Sequence, residues 1–177
     1  MQEPAGQPGD HVYRADTPGG GLHLCVGGPG STYVYPINGA DQQRGIGPLL
    51  GRYPGDVYDG DTDAQAGDHP WAVSTASFAE LYYRLAGQVN NAGTVPLDSL
   101  SGGFFTQVGV DVSSTPAAAA AALRAAGDQM LQAVIFHSDN LELSEQFDAT
   151  TGYEKSVSNL SWSYASFLSA VHARNAI

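Results

Sequence analysis

Apolar positions along the chain take up a helical rhythm from about residue 70 onward. Phe78, Leu81, Tyr82, Leu85 and Val89 recur at i, i+3, i+4, i+7 and i+11, which traces one face of a helix. Ser77 and Glu80 have capping-box spacing near its expected start. A short apolar segment follows at Leu100–Val108. Thr115-Pro116 then opens an alanine-rich stretch, proline being suited to a first helical turn, and Leu123, Met130, Leu131 and Val134 give that stretch an apolar face. The last helix carries Leu160, Tyr164, Phe167, Leu168 and Val171 on one stripe. Trp162 and Ala165 lie off it, which predicts burial on more than one side.

The first part of the chain lacks this rhythm. Residues 1–30 are rich in Gly, Pro and Asp and read as loop or disorder, with a short extended stretch around Leu22–Val26. Residues 31–70 carry several Gly and Pro and an acidic tract, Asp59-Gly60-Asp61-Thr62-Asp63. They read as irregular structure, and irregular segments on a rigid scaffold often carry function. Strand signals are few, so the expected class is mainly α. Three long helices and a short one close no familiar bundle, and no internal repeat is evident.

Composition narrows the functional classes. The 177 residues suffice for one domain with a core. Asp and Glu number 18 against 7 Lys and Arg, a formal net charge of -11. Such a surface repels phosphate backbones and anionic lipid, so neither nucleic acid nor membrane is an expected partner. A neutral sugar would be indifferent to that field. No apolar run reaches the roughly 20 residues that span a bilayer. The opening Met1-Gln2-Glu3-Pro4-Ala5-Gly6 has neither a basic nor an apolar leader region, so no signal peptide is expected. Cys25 is the single cysteine and the five histidines lack ligand spacing, so no metal site and no cofactor are expected.

Three stretches stand out from an ordinary helical domain. They are Gly51-Arg52-Tyr53-Pro54-Gly55-Asp56-Val57-Tyr58; His69-Pro70-Trp71 leading into a helix; and Ser144-Glu145-Gln146-Phe147-Asp148, followed by Leu160-Ser161-Trp162-Ser163-Tyr164-Ala165. In these segments the chain resembles the glucoamylases of glycoside hydrolase family 15, whose patterns run GRYPED-x-Y, N-P-W, SEQ-[YF]-D and L-[ST]-W-S-Y-A. Tyr35-Pro36-Ile37-Asn38 is similar to the family's Y-P-I-N stretch. The resemblance covers roughly residues 31–58 and 68–175, in order. It implies that residues 31–177 are the C-terminal part of a catalytic domain with an (α/α)6 barrel fold, incomplete in this chain, preceded by a loop-rich segment at 1–30.

The resemblance also implies roles. Glu145 matches the general base, which takes a proton from the water attacking the anomeric carbon. Without the resemblance, a solvated loop carboxylate would be the ordinary reading of Glu145. Ser156 falls where the family has a serine bonded to the base; helix capping is the competing account. Arg52 and Asp56 match residues that bind substrate hydroxyls, against the alternative of an internal salt bridge. Tyr58 and Trp71 match pocket aromatics, against core packing. Gly55 and Phe147 depart from the family's acidic residue and tyrosine. Asp148 and Trp162 are expected to be structural, and the sequon Asn159-Leu160-Ser161 to lie unmodified in a buried helix.

The implied activity is release of glucose from non-reducing ends of α-1,4-glucans with inversion. Glucodextranase or trehalase activity on the same barrel is an alternative, as is a truncated, inactive glucan-binding fragment. The family's general acid lies in an earlier Trp-Glu-Glu segment that these residues do not contain. The chain is therefore expected to need the N-terminal part of the barrel, and to be inactive on maltose and poorly stable or associated alone. Secretion is implied by the family's habit.

Overall fold

The computed structural model describes residues 35–53, 56–62 and 67–177. The expectations for residues 1–30, Cys25 and Gly55 fall outside the described residues. In chain order the elements are α1 (Pro36–Arg44), α2 (Ala72–Ala92), α3 (Gly102–Gln107), α4 (Pro116–His137), β1 (Gln146–Phe147), β2 (Glu154–Lys155) and α5 (Ser161–Asn175).

Helix α1 lies in the region expected to be irregular. It is too short for periodicity to announce it, and tertiary bonds hold it instead. Pro36 presets its first turn and Gly45 ends it in the left-handed region at φ 75°. The buried Asn38 side chain donates to the Leu49 carbonyl and accepts from the Leu49 N–H, both at 2.9 Å. Buried Asp41 meets His137 Nε2 at 2.8 Å, tying α1 to the end of α4.

Helix α2 starts at Ala72, so Ser77 lies inside it, and the capping-box spacing marks no terminus. Its true start is set by Pro70 and extended Trp71. The Thr75 hydroxyl donates to the Trp71 carbonyl and accepts from the Leu50 N–H, both at 2.9 Å. The buried stripe is Ala72, Thr75, Ala76, Ala79, Tyr82, Tyr83, Ala86 and Val89, while Leu81 is exposed. Small residues dominate because α2 is packed by α4 on one side and α5 on another. Helix α4 begins as expected: the Thr115 hydroxyl caps the Ala118 N–H at 3.2 Å and Pro116 follows.

Asp128 joins the three long helices. It accepts from the Tyr83 hydroxyl at 2.8 Å and from Arg174 at 2.6 and 3.0 Å. The Arg174 bonds hold its carboxyl below the ordinary aspartate range, and burial pushes the Tyr83 phenol well up. Helix α5 turns Ser163, Ala170 and Ala173 inward and leaves Trp162 and Leu168 exposed, so the expected apolar stripe is only partly its buried face. Asn159 sits in an exposed loop before α5, at φ 53°, and not in a buried helix; its amide is bonded to Glu142 and the Tyr164 hydroxyl.

A two-stranded antiparallel hairpin completes the framework, with Gln146 opposite Lys155 and Phe147 opposite Glu154. Asp148 closes its turn by accepting from the N–H groups of Thr150 and Thr151 at 3.0 and 2.7 Å. The other edge of β1 meets the start of α2 through a bridge between Trp71 and Gln146.

At Gly127 α4 lies close against α2, since a Cβ there would lie 2.7 Å from the Tyr83 ring. Alanine is the better helix former by about 1 kcal/mol, yet overpacking costs about 1–3 kcal/mol. Gly127→Ala is therefore expected to lower the urea midpoint of unfolding followed by far-UV circular dichroism. An unchanged or higher midpoint would show that the Tyr83 ring is free to move aside.

Candidate active site

Arg52 emerges from the loop after α1 and is fixed on both faces of its charge. Its Nε and Nη2 donate to the two oxygens of Asp56, each at 2.7 Å, a forked pair. Asp56 is buried, and its Oδ1 also accepts from the Tyr58 N–H at 3.2 Å. Burial alone would raise the Asp56 carboxyl, but the Arg52 and Tyr58 bonds outweigh it and hold the group below the ordinary range. The guanidinium also lies over three rings, 4.1 Å from the Trp71 centroid, 5.2 Å from Tyr58 and 5.3 Å from Tyr53. Cation–ring attraction of this kind is worth about 0.5–2 kcal/mol. Five N–H groups less the two used on Asp56 leave three that can face a ligand.

These contacts divide the expected roles. Asp56 has both oxygens engaged within the protein, so it anchors Arg52. Trp71 is 2% exposed and covered by Arg52, so it is a platform and not an open ring face. The accessible aromatics are Tyr53 beside Arg52, 53% exposed, Tyr58, 43% exposed and 5.8 Å from Trp71, and Trp162, 50% exposed and 6.1 Å from Trp71. Trp162 is expected to be structural, and half of its surface is open beside Trp71. Its position off the apolar stripe of α5 was the signal that it faces elsewhere.

Glu145 is placed one residue before β1. Its N–H donates to the Val157 carbonyl at 2.9 Å and its carbonyl accepts from Ala72 N at 3.2 Å. The flanking residues are equally held, with Ser163 Oγ donating to the Ser144 carbonyl at 2.9 Å. The Glu145 side chain is almost fully buried, and the Ser156 hydroxyl donates to Oε2 at 2.5 Å. Ser156 is not a helix cap, because α5 starts at Ser161 with Leu160 in the capping position. Glu145 also contributes to keeping Arg52 charged, behind the larger effect of the Asp56 bonds, so the two motifs share one electrostatic environment.

The acidic tract turns out to hold Ser156. Asp61 accepts from the Ser156 N–H at 3.0 Å and from Lys155 Nζ at 2.7 Å, and Lys155 also pairs with buried Asp59. The Lys155 bond is the main cause that keeps the Asp59 carboxyl low. Ser156 itself has φ 67°, a left-handed conformation costly for a non-glycine residue, and the Asp61 bond offsets part of that cost. Gly60, at φ 84°, passes directly over the Ser156 side chain, where any Cβ would collide with it. Among the described residues, no group of three or more His, Cys, Asp or Glu side chains is placed to hold a metal ion.

Both tryptophans of the chain, Trp71 and Trp162, lie in this cluster, so intrinsic fluorescence reports on it directly. A carboxyl lowered in the folded state contributes stability that is present above its unfolded value and lost as pH falls through its folded value. The Arg52–Asp56 pair is therefore expected to persist past about pH 4, where an unperturbed aspartate is half protonated. Tryptophan emission should show an acid transition below that pH, and Asp56→Asn should abolish it. The same transition in the variant would separate it from Asp56.

Comparison with known proteins places these residues in a wider context. The family described as glycosyl hydrolases family 15 matches residues 31–172. Glucoamylase 1 of Rhizopus oryzae is 33% identical over 153 residues, covering 80% of this chain and 24% of its own. A probable glucoamylase of Schizosaccharomyces pombe is 32% identical over 148 residues, covering 82% and 31%. A Saccharomyces cerevisiae relative, named as an intracellular sporulation-specific glucoamylase, is 28% identical over 166 residues, covering 81% and 30%. Among solved structures, glucoamylase from Saccharomycopsis fibuligera superposes with a TM-score of 0.70 at 30% identity, over 80% of this chain and 32% of that one. The family 15 glucoamylase of Hypocrea jecorina gives 0.67 at 30% identity, over 81% and 24%. The chain thus spans about a quarter to a third of the length of these relatives.

Proposed function

The chain belongs to glycosyl hydrolases family 15 and its helices form part of an (α/α)6 barrel; on that premise we propose that residues 31–177 are the C-terminal part of a catalytic domain that removes glucose from the non-reducing ends of α-1,4-glucans with inversion. Glu145 is the general base. The observation that carries this reading is the Ser156 hydroxyl on Glu145 Oε2, within the same electrostatic environment as an arginine that keeps three donors for a ligand.

In this reading Glu145 accepts a proton from a water as that water attacks the anomeric carbon. Ser156 occupies Oε2 and so fixes which oxygen remains for the water. Arg52, held over Trp71 by Asp56, donates to sugar hydroxyls, and Tyr58 with Trp162 supplies ring faces for the sugar's C–H groups. Inversion requires a carboxylic acid on the far side of the scissile bond, about 6.5–9.5 Å from the base, to protonate the departing oxygen. The working partner of this part, which would supply that acid, is the rest of a barrel. The -11 charge does not oppose a neutral glucan.

In the protein with its barrel complete, Glu145→Gln is expected to lower kcat on maltotriose by at least about 100-fold, the low end for a positioned acid or base. KM should change little, because the amide keeps the shape of the carboxylate. Proton NMR of the first turnovers should show β-glucose. Near-parental turnover would move the base elsewhere, and α-glucose as the first product would rule out inversion.

A further inference from the structure

Ser156 stands where the hairpin leaves its register. Gln146 pairs with Lys155, yet the next main-chain bond runs from the Glu145 N–H to the Val157 carbonyl at 2.9 Å. Between these two contacts one strand advances by one residue and the other by two. Ser156 is the extra residue, a bulge in the left-handed region at φ 67°. Bulges re-aim a side chain, and here the re-aimed hydroxyl is the one on Glu145 Oε2.

Asp61 grips this bulge with both carboxylate oxygens. Its Oδ1 accepts from the Ser156 N–H at 3.0 Å and its Oδ2 from Lys155 Nζ at 2.7 Å, so one side chain holds two successive residues. Lys155 is bonded to Asp59 as well, which keeps its ammonium in place beside Asp61. The loop itself reaches the hairpin by other means. Gln146 Nε2 donates to the Tyr58 carbonyl at 3.1 Å, the Gly67 N–H to the Val57 carbonyl at 3.2 Å, and the Thr62 hydroxyl to Asp59 at 3.0 Å. Removing the Asp61 carboxylate therefore frees Ser156 without releasing the loop. A left-handed serine is costly, and it would then lose the bond set against that cost.

We propose that Asp61 is a positioning residue for the hydrolysis: by holding the Ser156 bulge it keeps the Ser156 hydroxyl on Glu145 Oε2, and so leaves the other carboxylate oxygen directed at the attacking water. This rests on the reading of Glu145 as the general base. Asp61 touches no reacting atom and acts through Ser156. A carboxylate suits the task because it accepts on both oxygens. An asparagine keeps a single acceptor oxygen, enough for the Ser156 N–H but not for Lys155 as well.

Kinetics on maltotriose, in the protein with its barrel complete, test this. Asp61→Ala is expected to lower kcat on the order of tenfold with little change in KM, within the roughly 100-fold that a misplacement of about 1 Å can cost. The Asp61 side chain is 44% exposed, so its truncation leaves the helical core untouched. Asp61→Asn, which can still accept from the Ser156 N–H, should keep most of the parental kcat. In a Ser156→Ala background Asp61→Ala should cost nothing further, because the side chain through which it acts is gone. A residue that only supports the fold would lower activity in both backgrounds. Full kcat in Asp61→Ala, a rise in KM alone, an equal loss in the Ser156→Ala background, or Asp61→Asn as impaired as Asp61→Ala would each overturn the proposal. Lost turnover in Glu145→Gln beside an unimpaired Asp61→Ala overturns this proposal alone. Near-parental turnover in Glu145→Gln removes the general base and this proposal with it.

Discussion

Main-chain hydrogen bonds between residues 70–72 and residues 145–147 set the geometry of everything around the site. The Pro70 carbonyl accepts from Phe147 N at 2.9 Å, and the Glu145 carbonyl accepts from Ala72 N at 3.2 Å. Trp71 N in turn donates to the Leu50 carbonyl at 2.8 Å, which brings in the loop that carries Arg52. Segments far apart in sequence are thereby laid side by side as if they were neighbouring strands. Each bond contributes only about 1 kcal/mol net, but leaving such buried backbone groups unpaired would cost more. The start of α2 thus acts as a ruler: on one side it fixes the arginine loop, on the other the carboxylate.

Charge placement follows from that framework. Asp56 is buried, so without Arg52 it would be an uncompensated carboxylate, a situation that costs about 3–5 kcal/mol when a buried pair is broken. The pair is therefore held together strongly enough to keep Arg52 over the Trp71 ring, 4.1 Å from its centroid. Lys155, Asp59 and Asp61 do the corresponding work for Ser156, a residue whose backbone conformation would not persist alone. Both sets spend most of their hydrogen-bonding capacity on the protein, which leaves a few defined groups for a ligand.

The long helices were legible because their apolar spacing survives into the structure, and Thr115-Pro116 marked a terminus by local chemistry alone. Which face is buried was less legible. In α2 four alanines share the packed surface with Thr75, Tyr82, Tyr83 and Val89, and in α5 it is formed by Ser163, Ala170 and Ala173, while Leu81 and Leu168 point outward, because close helix approach selects small side chains at many contact positions. Helix α1 was missed since Asn38 and Asp41 stabilise it through partners 11 and 96 residues away. The site residues were legible only through motif resemblance. Their division of labour, with Asp56 and Trp71 supporting Arg52, depends on burial that no local pattern reveals. The role of Asp59 and Asp61 was hidden for the same reason: a run of acids in a glycine-rich loop looks solvated until Lys155 and Ser156 are brought to it.

The central claim is that Glu145 and Arg52 address the same sugar ring. A crystal structure of the complete barrel with a non-hydrolysable α-linked disaccharide tests it most directly. The account predicts a water within about 3.2 Å of the Glu145 oxygen not bonded to Ser156 and facing the anomeric carbon, with the free Arg52 donors on hydroxyls of that same sugar. A sugar seated with Arg52 unengaged, or with Glu145 turned away from the anomeric carbon, would contradict it.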